Sequence, residues 1–203
     1  MRVLPYGDRA FLLEFDDVHQ VIAHHAAIVA AAPPGIVELV PAARTILVEV
    51  DVSLRTLDDV VREVTALDPL PPDADRVTPL VEVPIKYDGP DLADAASAVG
   101  LSVESFVRRH ADQAWVAAFT GFAPGFAYLV GEDEWEIPRR ASPRVAVPTG
   151  AVAMAGPFTG IYPRESPGGW QIIGHTDVVL WDLDRESPAL IPAGHRVRFR
   201  ERT

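Results

Sequence analysis

The spacing of apolar residues changes character twice along the chain. Residues 3–4 and 10–15 are short apolar runs on either side of a Gly7–Asp8 turn and predict two strands. Val18, Val21, Ile22, His25, Ile28 and Val29 then recur at intervals of three and four. That period predicts an amphipathic helix, stopped by Pro33, Pro34 and Gly35. Residues 36–40 and 45–50, rich in β-branched side chains, predict a hairpin. Leu54, Leu57, Val60, Val61, Val64 and Leu67 trace a second helix, with Thr56 and Asp59 placed as a cap and Asp58 near the positive end of its dipole. The sum is a ββαββα domain over residues 1–70, a small α+β layer with two helices on one sheet.

Four prolines and three aspartates crowd residues 68–79 (DPLPPDADRVTP), so no regular element fits there and 71–80 reads as a linker. Beyond it Val81, Val83 and Ile85 alternate with polar or proline positions. Two short helices follow, one after Pro90 and one from Ser102 with Val103, Phe106, Val107 and His110 on one face. Short strands are expected at 114–119, 145–147, 151–155, 171–173, 178–183 and 197–200, which predicts a β-barrel or sandwich over 81–203. Eight of the fourteen glycines lie between Gly121 and Gly169, with seven prolines among them, and this density predicts a set of specified turns rather than a linker.

Composition narrows the classes. With 203 residues, 48% of them hydrophobic, the chain can bury a substantial core. A formal net charge of −11 argues against a nucleic-acid backbone or an anionic membrane as the main partner. The lack of cysteine excludes disulfides and thiolate chemistry. No stretch has the length of a membrane span, and the opening MRVLPYGDRAF lacks an apolar signal core, so a cytoplasmic location is expected. Lys86 is the sole lysine among eighteen basic side chains.

Direct motif searching finds no P-loop, GxGxxG, HExxH, EF-hand or GxSxG pattern, and no amidase Ser–Lys apparatus. His24 and His25 point about 100° apart on a helix and cannot readily chelate one ion; a solvated helix face accounts for at least one of them. What remains are polar residues in the turn-rich tract. Arg144 and Arg164 offer planar forks for carboxylate or phosphate, although an ion pair within the protein would occupy Arg144 equally well. Gly168–Gly169 could expose backbone N–H groups to an anion, or serve only as a turn. Thr149, Tyr162, Ser166 and Gln171 are candidate hydrogen-bonding groups, and His175 a candidate acid–base group. Tyr162 could equally pack and satisfy one hydrogen bond, and His175 could be structural. His110, among apolar neighbours, reads as a core or boundary histidine.

The tracts GFAPGFAYLVG at 121–131, PRVAVPTGAVAMAG at 143–156 and TGIYPRESPGGWQIIGHT at 159–176 resemble the Kip inhibitor / allophanate hydrolase subunit 1 family, as do the opening PYGDRAFLLEF and VPIKYDGPDL after the linker. The resemblance spans nearly the whole chain. Phe158, Thr149 and His175 depart from residues usual in the family (Gln, Ala and Arg), and the segment around Gly89 is shorter. The resemblance implies an N-terminal α/β domain and a C-terminal cyclophilin-like β-barrel. It implies a subunit of a heteromeric, ATP-dependent amide hydrolase, foremost the B-type subunit of 5-oxoprolinase, which opens the lactam of 5-oxoproline to glutamate. Some family members carry the name allophanate hydrolase subunit 1. The implied partners are the paralogous allophanate hydrolase subunit 2 (the C-type subunit of 5-oxoprolinase) and a LamB/YcsF-like protein, its A-type subunit. ATP would be shared with the complex, since this chain has no recognisable ATP motif. On that reading Tyr162 and His175 are the catalytic candidates, and Arg144, Thr149, Arg164, Ser166, Gly168, Gly169 and Gln171 bind substrate. The family also implies a second-ranked alternative, a non-catalytic module that binds and inhibits a histidine kinase.

Overall fold

In the first part of the chain, apolar alternation and capping build a four-stranded antiparallel sheet with two helices. The computed structural model describes residues 1–70 and 79–202, so the linker expected at 71–80 falls, over 71–78, outside the described residues. The chain divides into two compact units, Met1–Val77 and Thr78–Thr203. Unit 1 holds β1 (Arg2–Tyr6), β2 (Ala10–Glu14), α1 (Val18–Ala31), β3 (Ile36–Pro41), β4 (Thr45–Val50) and α2 (Leu57–Thr65), with strand order β1-β2-β4-β3. Alternate residues Phe11, Leu13, Ile46, Val48 and Val50 pack with Val21, Ile28, Val60 and Val64 of the helices. Asp17 caps α1 by accepting from the Gln20 N–H, and the helix ends where Ala32 takes a left-handed conformation before Pro33. Thr56 and Asp59 form the expected cap of α2, the Asp59 N–H donating to the Thr56 hydroxyl. His24 and His25 are both half-buried, contrary to the solvated face expected for one of them; His24 packs its ring on Phe15 at 4.6 Å.

Unit 2 holds β5 (Leu80–Ile85), α3 (Leu92–Ala98), α4 (Val103–Asp112), β6 (Trp115–Thr120), β7 (Ala127–Gly131), β8 (Arg144–Val147), β9 (Ala151–Ala155), β10 (Phe158–Ile161), β11 (Ser166–Gly168), β12 (Gln171–His175) and β13 (Arg196–Glu201). Seven strands run in the order β12-β9-β10-β7-β6-β13-β5, antiparallel except for the parallel β13/β5 pair. The two edges meet. Lys86, just after β5, exchanges both backbone hydrogen bonds with His175 at the end of β12, each 2.9 Å. The result is a nearly closed barrel-like sheet in a mixed α/β structure, consistent with the expected cyclophilin-like barrel. The joint needs two glycines: a Cβ at Gly89 would run into the Ile172 carbonyl, and one at Gly174 into that of Lys86.

Pleat alternation sorts the strand residues onto two faces. The inner face gathers Val83, Trp115, Leu129, Met154, Ile173 and Phe199, with Phe106 of α4. On the outer face Ala151, Ala153, Ala155, Tyr162, Trp170 and Ile172 pack with Phe126 and Val147. There β8 and β11 form a separate two-stranded ribbon.

One strand expected from sequence is absent. Residues 178–183 make only an isolated bridge, Trp181 to Ala189, because the segment opposite carries Pro188 and Pro192, which lack N–H donors. Conversely, β7 and β10 lie within the tract read as turns. Gly160 sits mid-strand in β10 because a Cβ there would come within 2.8 Å of the Phe126 ring.

Candidate functional site

The register of the ribbon, with Gly168 opposite Arg144 and Ser166 opposite Val147, gathers several sequence-selected residues on the outer face. Arg144 is already engaged. Its fork donates to both oxygens of Asp91 at 2.7 and 2.8 Å, Arg140 adds a third bond at 2.5 Å, and the Ile172 N–H donates at 2.8 Å. Asp91 is 2% exposed. Burial alone would push its carboxyl up; the Arg144 fork, the Ile172 N–H and the Arg140 charge override that and hold it below the usual carboxylate range. Of the two readings of Arg144, the geometry displays the ion pair, a clamp that fastens the ribbon to the barrel.

Tyr162 follows β10 and is 3% exposed, with its ring among Phe122 and Phe126 at 5.9 and 5.5 Å. Its Oη touches Gly168, where a Cβ would overlap it. No hydrogen-bond partner for that hydroxyl is found among the described residues. Burial, with Tyr128 adding, pushes the phenol above its ordinary value against the charges of Arg139 and Arg144. Tyr128, on the outer face of β7, stacks on Phe119 at 4.3 Å and is likewise raised by burial, opposed by Arg139. Arg139 is exposed and forms no salt bridge among the described residues. Phe122 holds a left-handed backbone, φ +67°, and leaves 56% of its surface in solvent. A concavity of about 410 Å³ opens beside it, lined by Thr120, Gly121, Phe122, Pro124, Gly125 and Trp181 among others.

The other candidates disperse. Arg164 is exposed in the loop before β11, and the Ser166 hydroxyl donates to its carbonyl at 3.0 Å. Gly169 accepts from the Arg140 N–H at 2.9 Å. Gln171 is buried, donates to the Pro138 carbonyl at 3.2 Å and leaves its Oε1 unpartnered among the described residues. Thr149 is exposed in a turn closed by the Ala151 N–H to the Pro148 carbonyl; Gly150 takes φ +79° there, since a Cβ would strike the Thr176 carbonyl.

His175 stands at the barrel joint. Its register partner is Ala151, whose own neighbour across the next strand is Tyr162, so the three share the outer face, with the backbones of His175 and Tyr162 about 10 Å apart. Its Nδ1 lies 2.6 Å from Asp88 Oδ1, and Lys86 Nζ is 3.5 Å from the other Asp88 oxygen. Partial burial opposes ionisation of Asp88, but the His175 and Lys86 contacts hold it below its ordinary value. In the neutral tautomer that donates to Asp88, the proton sits on Nδ1.

Sequence reasoning passed over Asp91, Asp88, Arg140, Arg139 and Phe122; Tyr128 is visible in it beside a glycine-rich turn, as a residue that packs and satisfies one hydrogen bond. The two aspartates were visible in the motif VPIKYDGPDL, flanking a Gly-Pro pair that a plain turn does not require.

The family model for the carboxyltransferase domain, subdomain C and D, matches residues 1–191. The chain is 46% identical over 123 residues to the 5-oxoprolinase B-type subunit of Escherichia coli O157:H7, covering 59% of this chain and 56% of that protein. It is 33% identical over 214 aligned positions to the 5-oxoprolinase B-type subunit of Bacillus subtilis strain 168, covering 95% and 89%. The crystal structure of TTHA0988 is similar with a TM-score of 0.75 at 36% identity, over 96% of this chain and 40% of that one. The matched region is thus a little over half of the Escherichia coli protein and well under half of the solved chain. Motifs, fold and family model agree, and the chain belongs to the family of the carboxyltransferase domain, subdomain C and D.

Proposed function

We propose that this chain is one component of a 5-oxoprolinase, acting in a heteromeric complex that couples lactam opening to ATP hydrolysis. The observation that carries the reading is the 46% identity to a protein named as the B-type component of that enzyme. Opening a stable five-membered amide demands that the substrate be anchored and its carbonyl activated, which a composite site shared with partner chains would supply.

Among the described residues, no helix N-terminus is free to cradle a nucleoside triphosphate. The N-termini of α1, α2 and α4 are occupied by their own caps, Asp17, Thr56 and Ser102, and the Asp91 carboxylate before α3 is taken by two arginines. ATP would therefore be held by the partners, the paralogous allophanate hydrolase subunit 2 and a LamB/YcsF-like protein. The cyclophilin-like barrel supplies a rigid base for one part of a composite site.

The test is co-expression with those two partners and an assay of glutamate release from 5-oxoproline. ATP-dependent turnover by the three-protein mixture, and none by this chain alone, is the expected result. Robust turnover by the lone chain, or none by the mixture, rejects the reading.

A further inference from the structure

We infer that the outward face of β13 is a docking stripe for an acidic segment of another protein, held extended along Arg196, Arg198, Arg200 and Arg202. The function proposed above makes no use of this face.

The stripe begins in the sequence. Residues 196–202 read RVRFRER, with four arginines at alternate positions in a chain whose formal net charge is −11. A strand sends successive side chains to opposite faces. Val197 and Phe199 are 0% and 1% exposed and fill the inner face, so Arg196, Arg198 and Arg200 share the outer one. The parallel register with β5 sets Val197 beside Val81, Arg198 beside Glu82 and Phe199 beside Val83. The Arg202 N–H carries the pairing one step further, to the Ile85 carbonyl at 2.7 Å. Side chains on this face therefore repeat at about 6.6 Å, and the four arginines span about 20 Å.

The chain's own carboxylates do not consume this charge. Glu82 accepts from Arg200 at 2.9 and 2.5 Å, and Asp177 accepts from Arg202 at 2.9 Å. Arg196 and Arg198 form no salt bridge among the described residues. The Arg198 Nε is buried without a hydrogen-bond partner among them, a cost that a native protein ordinarily avoids. On the β6 side the register partner of Arg196 is Val116, which offers no charge.

The chemistry of the occupant follows from the fork and from the spacing. Guanidinium groups pair with carboxylates bidentately. An extended polypeptide repeats its same-face side chains at about 6.6–6.8 Å, the period of the stripe. A nucleic-acid strand carries a phosphate every ~3.4 Å, about twice as densely, and the net charge of this chain repels a long polyanion. A segment with carboxylates at alternate positions thus meets one arginine per carboxylate. Arg196 and Arg198 supply the free charge, and Arg200 and Arg202 extend the track.

Calorimetric titration of the full chain with peptides of about eight residues, long enough to cover the stripe, tests this. One peptide alternates glutamate with threonine, a second holds the same residues in two blocks, and a third alternates glutamine with threonine. The alternating acidic peptide is expected to bind, to weaken as salt is raised, and to bind at least about threefold more tightly than the block isomer and tenfold more tightly than the neutral peptide. Joint replacement by Arg196→Gln and Arg198→Gln should weaken it about tenfold, the effect of two exposed ion pairs, with the melting temperature unchanged. No saturable binding of the alternating acidic peptide, equal binding of either control, or wild-type affinity in the double variant overturns the inference. Tighter binding of an oligothymidylate of equal charge overturns it too, and gives the stripe to nucleic acid. The peptide comparisons use the unaltered chain, so they decide the matter even if the double variant fails to fold.

Discussion

On the inner face of the barrel-like sheet, His110 is fully buried and both ring nitrogens are engaged. Tyr87 donates to Nδ1 at 2.8 Å, Nε2–H reaches the Thr159 hydroxyl at 3.1 Å, and that hydroxyl donates onward to the Ala153 carbonyl. Trp115 closes the cluster by donating to the His110 carbonyl at 3.0 Å. On the outer face, an equally aromatic cluster leaves the hydroxyls of Tyr162 and Tyr128 unbonded among the described residues and Phe122 strained. The inner face has a loose end of its own, the Trp135 indole N–H, with the Arg109 guanidinium over its ring at 4.4 Å. Two layers of similar residue type thus differ in what they leave unused. Apart from that indole, the inner one pairs its polar groups with one another around His110. The outer one leaves its phenol oxygens without a protein partner among the described residues, and neither is a buried unpartnered atom.

The largest expected effect comes from cutting the link between the layers. Asp91→Ala leaves two arginines and the Ile172 N–H without their acceptor, at a cost of about 3–5 kcal/mol. Urea unfolding should show it, and limited proteolysis should cut first within 139–147 as the ribbon lifts. Unaltered stability would mean that the ribbon is held by packing alone.

The inner face is sharpened by pH. Burial pushes the His110 imidazole down to about 3, so the folded chain keeps it neutral while the unfolded chain takes up a proton below pH 6.5. Stability should therefore fall as pH drops from 6.5 towards 3, with a slope from this group of up to about 1.4 kcal/mol per pH unit. His110→Leu removes that slope and costs about 1–3 kcal/mol at pH 7 through the stranded Tyr87 and Thr159 hydroxyls. An unchanged acid slope in His110→Leu would assign it to other groups.

The smallest stability effect is expected at Gly168. Gly168→Ala crowds the Tyr162 Oη, costing about 1 kcal/mol by overpacking. Thermal melting checks it; an unchanged melting temperature would mean that the Tyr162 ring has room to withdraw.

Much of this architecture was legible from local signals. The unit 1 elements follow from apolar period and from caps such as Thr56–Asp59, and β9 falls on its expected residues, 151–155. What escaped was decided by distant partners. β10 was hidden by Gly160, whose role is set by Phe126 thirty-four positions earlier in the chain. The 178–183 strand failed because its would-be partner carries prolines. At the site, Tyr162 and Gly168 could be named from their setting, but the occupation of Arg144 depends on Asp91, fifty-three residues away. No periodicity records such a pairing.

The joint at Lys86 and His175 has a practical consequence. Because this is the only lysine in the chain, and its side chain is half exposed, an amine-directed dye would report from one internal address, the place where the first and last strands of the barrel order meet. Apart from the α-amino group of Met1, nothing else would be labelled. A fluorescence change on mixing with another protein would then signal an event at the closure itself, without engineering a single substitution.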